Sequence, residues 1–128
     1  MVSNYKIFKT IAIVLGLIIF FWLIYDYQNN IRKVNQNYIE ANNSFLKKNY
    51  LKALDLYRKV SESEPNNLYA LEGEARCLMR LQNYNEALEV FKLVLKRDKN
   101  FVPALTNIAI LYDTIEDYEK AILYYRKA

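Results

Sequence analysis

NYLKALDLY at residues 49–57, NYNEALEVF at 83–91 and DYEKAILYY at 117–125 are one pattern met three times, 34 residues apart. Inside it Tyr50, Tyr84 and Tyr118 align. So do Ala53, Ala87 and Ala121, then Leu54, Leu88 and Ile122, then Tyr57, Phe91 and Tyr125. The register extends upstream to Ala41, Ala75 and Ala109 and downstream to Val60, Val94 and Ala128. Asn49, Asn83 and Asp117 stand just before each tyrosine, where a turn residue belongs. A fixed period in this range marks stacked supersecondary units.

The sizes of the repeated residues say which units. Two antiparallel helices approach closely only where small side chains meet. Ala41 with Ala53, Ala75 with Ala87 and Ala109 with Ala121 therefore mark three helix crossings. Tyr57, Phe91 and Tyr125 are expected to fill the wider space between neighbouring hairpins, and Tyr50, Tyr84 and Tyr118 to pack beside each intra-repeat turn. A single hairpin cannot bury its own apolar face, so stacking makes the core continuous. Gly and Pro together number only four (Gly16, Gly73, Pro65, Pro103), too few for the many tight turns of an all-β chain. The fold class is all-α.

Over residues 34–128 this pattern resembles the tetratricopeptide repeat family in its period, its small residues, its aromatics and the Pro65 that closes the first repeat. The second repeat departs from the family by placing Lys99 where that proline would fall. In the first repeat Asn37, Glu40 and Ser44 stand where the family has large apolar residues, so its first helix is expected to bury Tyr38, Ala41 and Phe45 instead. The repeats run 34–67, 68–101 and 102–128. The third stops within its second helix without the family's usual solvating helix, so either the chain is a piece of a longer one or a partner covers that end.

The resemblance implies that the first helix of each hairpin lines a concave groove for protein or peptide partners. By position, the groove side holds Tyr38, Asn42, Phe45, Tyr69, Glu72, Arg76, Met79, Thr106, Ile110 and Asp113. A subgroup of the family clamps the C-terminal carboxylate of chaperones through Lys, Asn and Arg. The corresponding places here are Tyr38, Asn42, Gly73, Pro103 and Asn107, of which only Asn42 fits. A clamp of that kind is not expected.

Upstream of the repeats, Ile11 to Tyr25 reads IAIVLGLIIFFWLIY without a charge. With Thr10, and with Ile7 and Phe8 beyond Lys9, about 19 residues are usable, nearly enough to cross a ~30 Å hydrocarbon layer at ~1.5 Å per residue. Tyr5 and Phe8 before the run, and Trp22, Tyr25 and Tyr27 after it, suit the two membrane interfaces. Lys6 and Lys9 before an apolar run also resemble a signal peptide. Cleavage, however, wants small residues past the run, and Tyr25-Asp26-Tyr27 is bulky and polar. Residues 1–27 are therefore expected to be an uncleaved anchor, with about 7–25 in the bilayer. Lys6, Lys9 and the amino terminus favour a cytoplasmic N-terminus with the repeats on the opposite side.

Between Gly16 and Pro65 there is no breaker, and Ile24, Tyr27, Ile31, Val34, Tyr38, Ala41 and Phe45 recur in steps of three and four. That is a helical seam, and residues 28–37 are expected to be a helical stalk.

Charge and composition exclude several function classes. The net charge is +4, but from Val34 onward 14 Lys/Arg face 13 Asp/Glu. The excess sits in and after the apolar segment, whereas a nucleic-acid-binding domain carries it on its folded part. With no His and a single Cys77, expected to be a small buried hydrophobe, neither a disulfide framework nor an ordinary zinc site can be built. Glu40, Glu72 and Glu74 read as exposed acids paired with bases such as Arg76 and Arg80, and no nucleophile elbow or phosphate loop is present. No catalytic residue, cofactor or metal is expected. The sequence reads as a membrane-anchored repeat scaffold within a hetero-oligomeric membrane complex, or alternatively as a peptide receptor or adaptor resembling import receptors or chaperone adaptors.

Overall fold

The computed structural model describes residues 2–128, with side chains from Asn4 onward, as six α-helices and no strand. They are α1 (Val2–Leu46), α2 (Tyr50–Ser63), α3 (Leu68–Arg80), α4 (Tyr84–Arg97), α5 (Val102–Thr114) and α6 (Tyr118–Lys127). The chain divides into two compact units, Met1–Lys33 and Val34–Ala128.

In the first unit every described side chain, from Asn4 to Lys33, is exposed. Isoleucine, leucine, phenylalanine and the one tryptophan point outward all round the helix. By length and composition this helix is able to cross a membrane.

The second unit stacks hairpins. In the first, the part of α1 from Val34 onward packs on α2; α3 with α4 and α5 with α6 follow, and α3 also meets α5. Each turn between the two helices of a hairpin is built the same way. The amides of Asn49, Asn83 and Asp117 donate to the carbonyls of Ser44, Leu78 and Tyr112, each at 2.9 Å. Lys48, Gln82 and Glu116 adopt the left-handed conformation, φ 61°, 64° and 63°. This is the six-to-one closure of a helix C-terminus, at which glycine is the usual left-handed residue. The next helix starts at once. Asn49 Oδ1 accepts from the Lys52 amide and Asp117 Oδ1 from the Lys120 amide, whereas Asn83 makes no such side-chain cap. Between hairpins, Asn67 caps α3 and Pro103 sits in the first turn of α5, where a missing amide costs nothing.

The six crossing alanines are all buried, as their spacing requires. Tyr57 and Phe91 fill the gaps between hairpins and are almost fully enclosed. Tyr125 departs from the expected place. It is 48% exposed because no further hairpin lies beside α6 among the described residues, and Ala121 is the only buried side chain of that helix. Tyr118 is exposed for the same reason, while Tyr50 meets the edge of Phe45, ring centroids 5.3 Å apart. In the first repeat Ala41 is fully buried, but Tyr38 and Phe45 only partly. Val34 and Ser44 are enclosed instead, Val34 against Val60 and Ala70. Cys77 is buried, and burial pushes its thiol up to about 12, so it stays protonated as a small hydrophobe.

Two acids run against the sequence expectation of exposure, because Glu72 and Glu74 are both buried. Glu74 is held by Arg58, whose Nε donates to it at 3.1 Å and whose Nη2 donates to Glu86 at 2.6 Å. Ser61 Oγ adds a donor to Glu74 at 3.3 Å. One guanidinium thus ties α2 to both helices of the second hairpin. The planar guanidinium presents a separate donor to each carboxylate in a fixed geometry.

Candidate functional site

Residues i and i+4 share a helix face, so the first helices of the hairpins turn one side to the core and the other to a common hollow. In the second unit that hollow is a groove of about 510 Å³ lined by Phe45, Arg76, Met79, Arg80, Gln82, Tyr84, Asn107, Ile110 and Thr114. Phe45 comes from α1, Arg76 to Arg80 from α3, and Asn107 to Thr114 from α5. Its walls mix apolar and polar groups.

The centre of the groove is a connected set. The Arg76 guanidinium lies over the Phe45 ring at 4.2 Å, a cation–π arrangement that fixes its plane. Its Nη1 reaches Glu72 Oε2 at 3.5 Å. Asn107 Nδ2 donates to Glu72 Oε1 at 2.8 Å and to the Pro103 carbonyl at 2.9 Å. Burial holds the Glu72 carboxyl above the ordinary glutamate value, opposed by the Arg76 charge and by the hydrogen bonds from Arg76 and Asn107. Arg76 is about one-third exposed and keeps most of its donors open to the groove.

Deeper in, Tyr57 Oη donates to Asn42 Oδ1 at 2.7 Å, and Tyr38 meets the Tyr57 ring edge-on at 6.0 Å. Burial pushes the Tyr57 phenol up to about 12. Gly73 lies against this ring. A Cβ there would stand 2.5 Å from two ring carbons, so α3 approaches α2 more closely than any side chain permits.

Of the ten expected groove residues, the structure brings Phe45, Arg76, Met79 and Ile110 together on the groove wall. Glu72 lies buried behind them as the acceptor of Arg76 and Asn107. Tyr38 and Asn42 are engaged with Tyr57. Tyr69 is exposed and packs edge-on against Phe101 at 5.2 Å, away from the groove lining. Thr106 and Asp113 are not in the lining either. Five lining residues were missed: Arg80, Gln82, Tyr84, Asn107 and Thr114. Arg80 and Thr114 stand four residues after Arg76 and Ile110, and that spacing could have found them. Gln82 and Tyr84 belong to a turn and the next helix, which a single-helix face does not reveal. No cluster of side chains able to hold a metal occurs among the described residues.

The hairpin stack, its repeated turns and its inner groove define a helical-repeat protein-interaction scaffold. Tetratricopeptide repeat models match residues 44–109 and 102–128, and the chain belongs to the tetratricopeptide repeat family. No curated protein matches it. Among solved structures it is similar to the TPR2B domain of yeast Sti1 in complex with an Hsp70 peptide, at 21% identity and a TM-score of 0.70, covering 75% of this chain and 77% of that one. The first repeat domain of Spaghetti (RPAP3), bound to the HSP90 peptide SRMEEVD, is similar at 20% identity and a TM-score of 0.69, covering 75% and 76%. The Arabidopsis OM64 domain is similar at 18% identity and a TM-score of 0.70, covering 76% and 80%. At these identities the likeness is one of fold.

Proposed function

We propose that this chain is a membrane-anchored scaffold that holds a partner polypeptide in the groove of its repeats, as an accessory or assembly component of a membrane complex. The observation that carries the reading is the open groove, in which Arg76 is fixed on Phe45 with donors to spare and is flanked by Met79, Tyr84 and Ile110. Such a wall offers apolar anchorage and a charged fixture together, and few residues of that kind dominate binding. The exposed apolar helix supports anchoring through residues 7–25, and the exposed Ile122, Leu123 and Tyr125 of α6 offer a second surface for a subunit to cover. The expected topology, with a cytoplasmic N-terminus, belongs to the same reading.

A second reading is a peptide receptor or adaptor. It is favoured by the peptides in the structures of Sti1 and RPAP3. Against a terminal-carboxylate clamp, the Asn107 donors are taken by Glu72 and the Pro103 carbonyl, whereas Asn42 accepts from Tyr57 through Oδ1 alone. Mild-detergent purification with crosslinking separates the two. A structural subunit comes down with a stoichiometric partner, which Arg76→Glu with Phe45→Ala releases. Recovery of a set of partners in exchange favours the adaptor. Unchanged recovery by the double variant rules out the groove.

A further inference from the structure

Cations are not spread evenly over the second unit. Lys96 and Arg97 stand in the last turn of α4, Lys99 follows in the turn to α5, and Arg126 and Lys127 stand in the last described turn of α6. All five are exposed, and none forms an ion pair among the described residues. Lys99 and Lys127 line the same hollow of about 390 Å³ with Leu95 and Tyr124, and Lys96, Arg97 and Arg126 adjoin them in sequence. Lys127 Nζ lies 5.1 Å from the centre of the Tyr124 ring.

Bases in a last helical turn complement the helix dipole, and this explains part of the pattern. It does not explain Lys99, nor why α2 has no base in its last turn but Glu62, followed by Glu64. Those two and Asp98, whose Oδ1 accepts from the Asn100 amide, are the acids of this edge. The opposite edge, at the intra-hairpin turns, mixes Lys47, Lys48 and Arg80 with Glu116, Asp117 and Glu119.

The basic edge is also where the chain joins the repeats. Val34, the first residue of the second unit, packs against Val60 near the end of α2 and Ala70 in the first turn of α3. Eight residues, Asp26 to Lys33, precede it after Tyr25, and two of them are Arg32 and Lys33. Whatever their conformation, they reach at most ~29 Å. Given the proposed anchor, Val34 stays within that reach of the bilayer.

We propose that the edge carrying Lys96, Arg97, Lys99, Arg126 and Lys127 docks on anionic phospholipid headgroups of the membrane that holds the chain; this rests on the anchoring of residues 7–25. Lysine and arginine near an anionic leaflet each add to attraction, and a tyrosine beside them suits the interface. Docking would set the direction in which the groove opens.

The test uses the full chain with a fluorophore on Asn100→Cys, which lines the hollow; Cys77 is buried and protonated, so it does not compete for label. The chain is reconstituted in phosphatidylcholine vesicles with a headgroup-attached quencher, with and without phosphatidylglycerol. Quenching is expected to rise several-fold with phosphatidylglycerol and to fall back in high salt. Lys99→Glu with Lys127→Glu is expected to weaken the lipid-dependent part about tenfold or more. Lys47→Glu with Lys48→Glu, on the other edge, leaves it unchanged. Equal quenching with and without phosphatidylglycerol overturns the docking, as does a response to oligonucleotide in its place. Flotation after an alkaline wash reports the anchor separately. A chain that washes off neutral vesicles overturns both readings, whereas one that floats without lipid-dependent quenching overturns the docking edge alone.

Discussion

Gly73→Ala is the most informative single change, because two effects of opposite sign meet at one methyl group. Gly73 is interior to α3, where alanine is favoured over glycine by about 1 kcal/mol on propensity. The new Cβ, however, would sit 2.5 Å from Cε1 and Cζ of Tyr57. Ordinary carbon contact is ~3.5 Å, so the ring must withdraw by about 1 Å. It has nowhere to go. Tyr57 is 1% exposed, Tyr38 stands at its edge, and its hydroxyl is held at 2.7 Å from Asn42. Overpacking a filled core costs about 1–3 kcal/mol and breaking the Asn42 bond about 1 kcal/mol more. Less the propensity gain, the net destabilisation is about 1–3 kcal/mol. For a unit of 95 residues (34 to 128) that lowers the melting temperature by roughly 5–15 °C. Thermal unfolding of the full chain in mild detergent, followed by circular dichroism, reads this directly. Tyr57→Leu should recover part of the loss when combined with Gly73→Ala, giving a favourable coupling in the double-mutant cycle. Gly16→Ala, with nothing within 4 Å of the new Cβ, should cost nothing. A Gly73→Ala protein as stable as the parent would refute the close-approach argument.

Other consequences are equally direct. Replacing Lys48, Gln82 or Glu116 by glycine relieves a left-handed strain of about 1–2 kcal/mol and adds chain entropy of about half that, so each should raise the urea midpoint by about 0.5–1 kcal/mol equivalent. A fall in midpoint would show that these side chains matter more than their backbone. Arg58→Ala leaves the buried Glu74 with Ser61 alone and should cost about 1–3 kcal/mol, with Arg58→Lys in between; an unchanged midpoint would mean water replaces the fork. Glu72→Gln should stabilise at neutral pH. The Glu72 carboxyl is held above 4.5, so the unfolded chain releases that proton first and native stability falls as pH rises through the interval between the two values. Below 4.5 the advantage of Gln should vanish, and the same difference at acid and neutral pH would refute the burial cost.

Much of the architecture was legible because the period that marks the repeats is enforced by packing. Ala41, Ala53, Ala75, Ala87, Ala109 and Ala121 are small because helices cross there, and the structure buries all of them. The turns were less so. A closure that favours glycine is built here from lysine, glutamine and glutamate, so Lys48, Gln82 and Glu116 give no composition signal. The exposure of Glu72 and Glu74 was misjudged for a related reason. Spacing along one helix pairs Glu72 with Arg76, but the partners that permit burial, Asn107 and Arg58, lie 35 and 16 residues away. Five of the nine groove residues were missed: Gln82 and Tyr84 because the wall crosses from α3 into the next turn and helix, but Arg80 and Thr114 although they repeat Arg76 and Ile110 four residues on.

The buried acids also bear on what the groove can hold. An arginine on an open surface attracts any carboxylate, but Arg76 already faces Glu72 and is pinned flat on Phe45. Its net field in the groove is therefore reduced, while its directional donors and its position are kept. Glu72 and the Pro103 carbonyl take the donors of Asn107, which joins α3 to α5, whereas Tyr57 engages only the Oδ1 acceptor of Asn42, which joins α1 to α2. Arg80, four residues on from Arg76, adds a second positive charge to the same wall. A ligand that lays an apolar side chain against Met79 and Ile110 and offers acceptors to Arg76 and its neighbours Arg80 and Gln82 matches the groove wall. Apolar contact beside a few directional donors lets such a wall select a partner by shape as well as by charge.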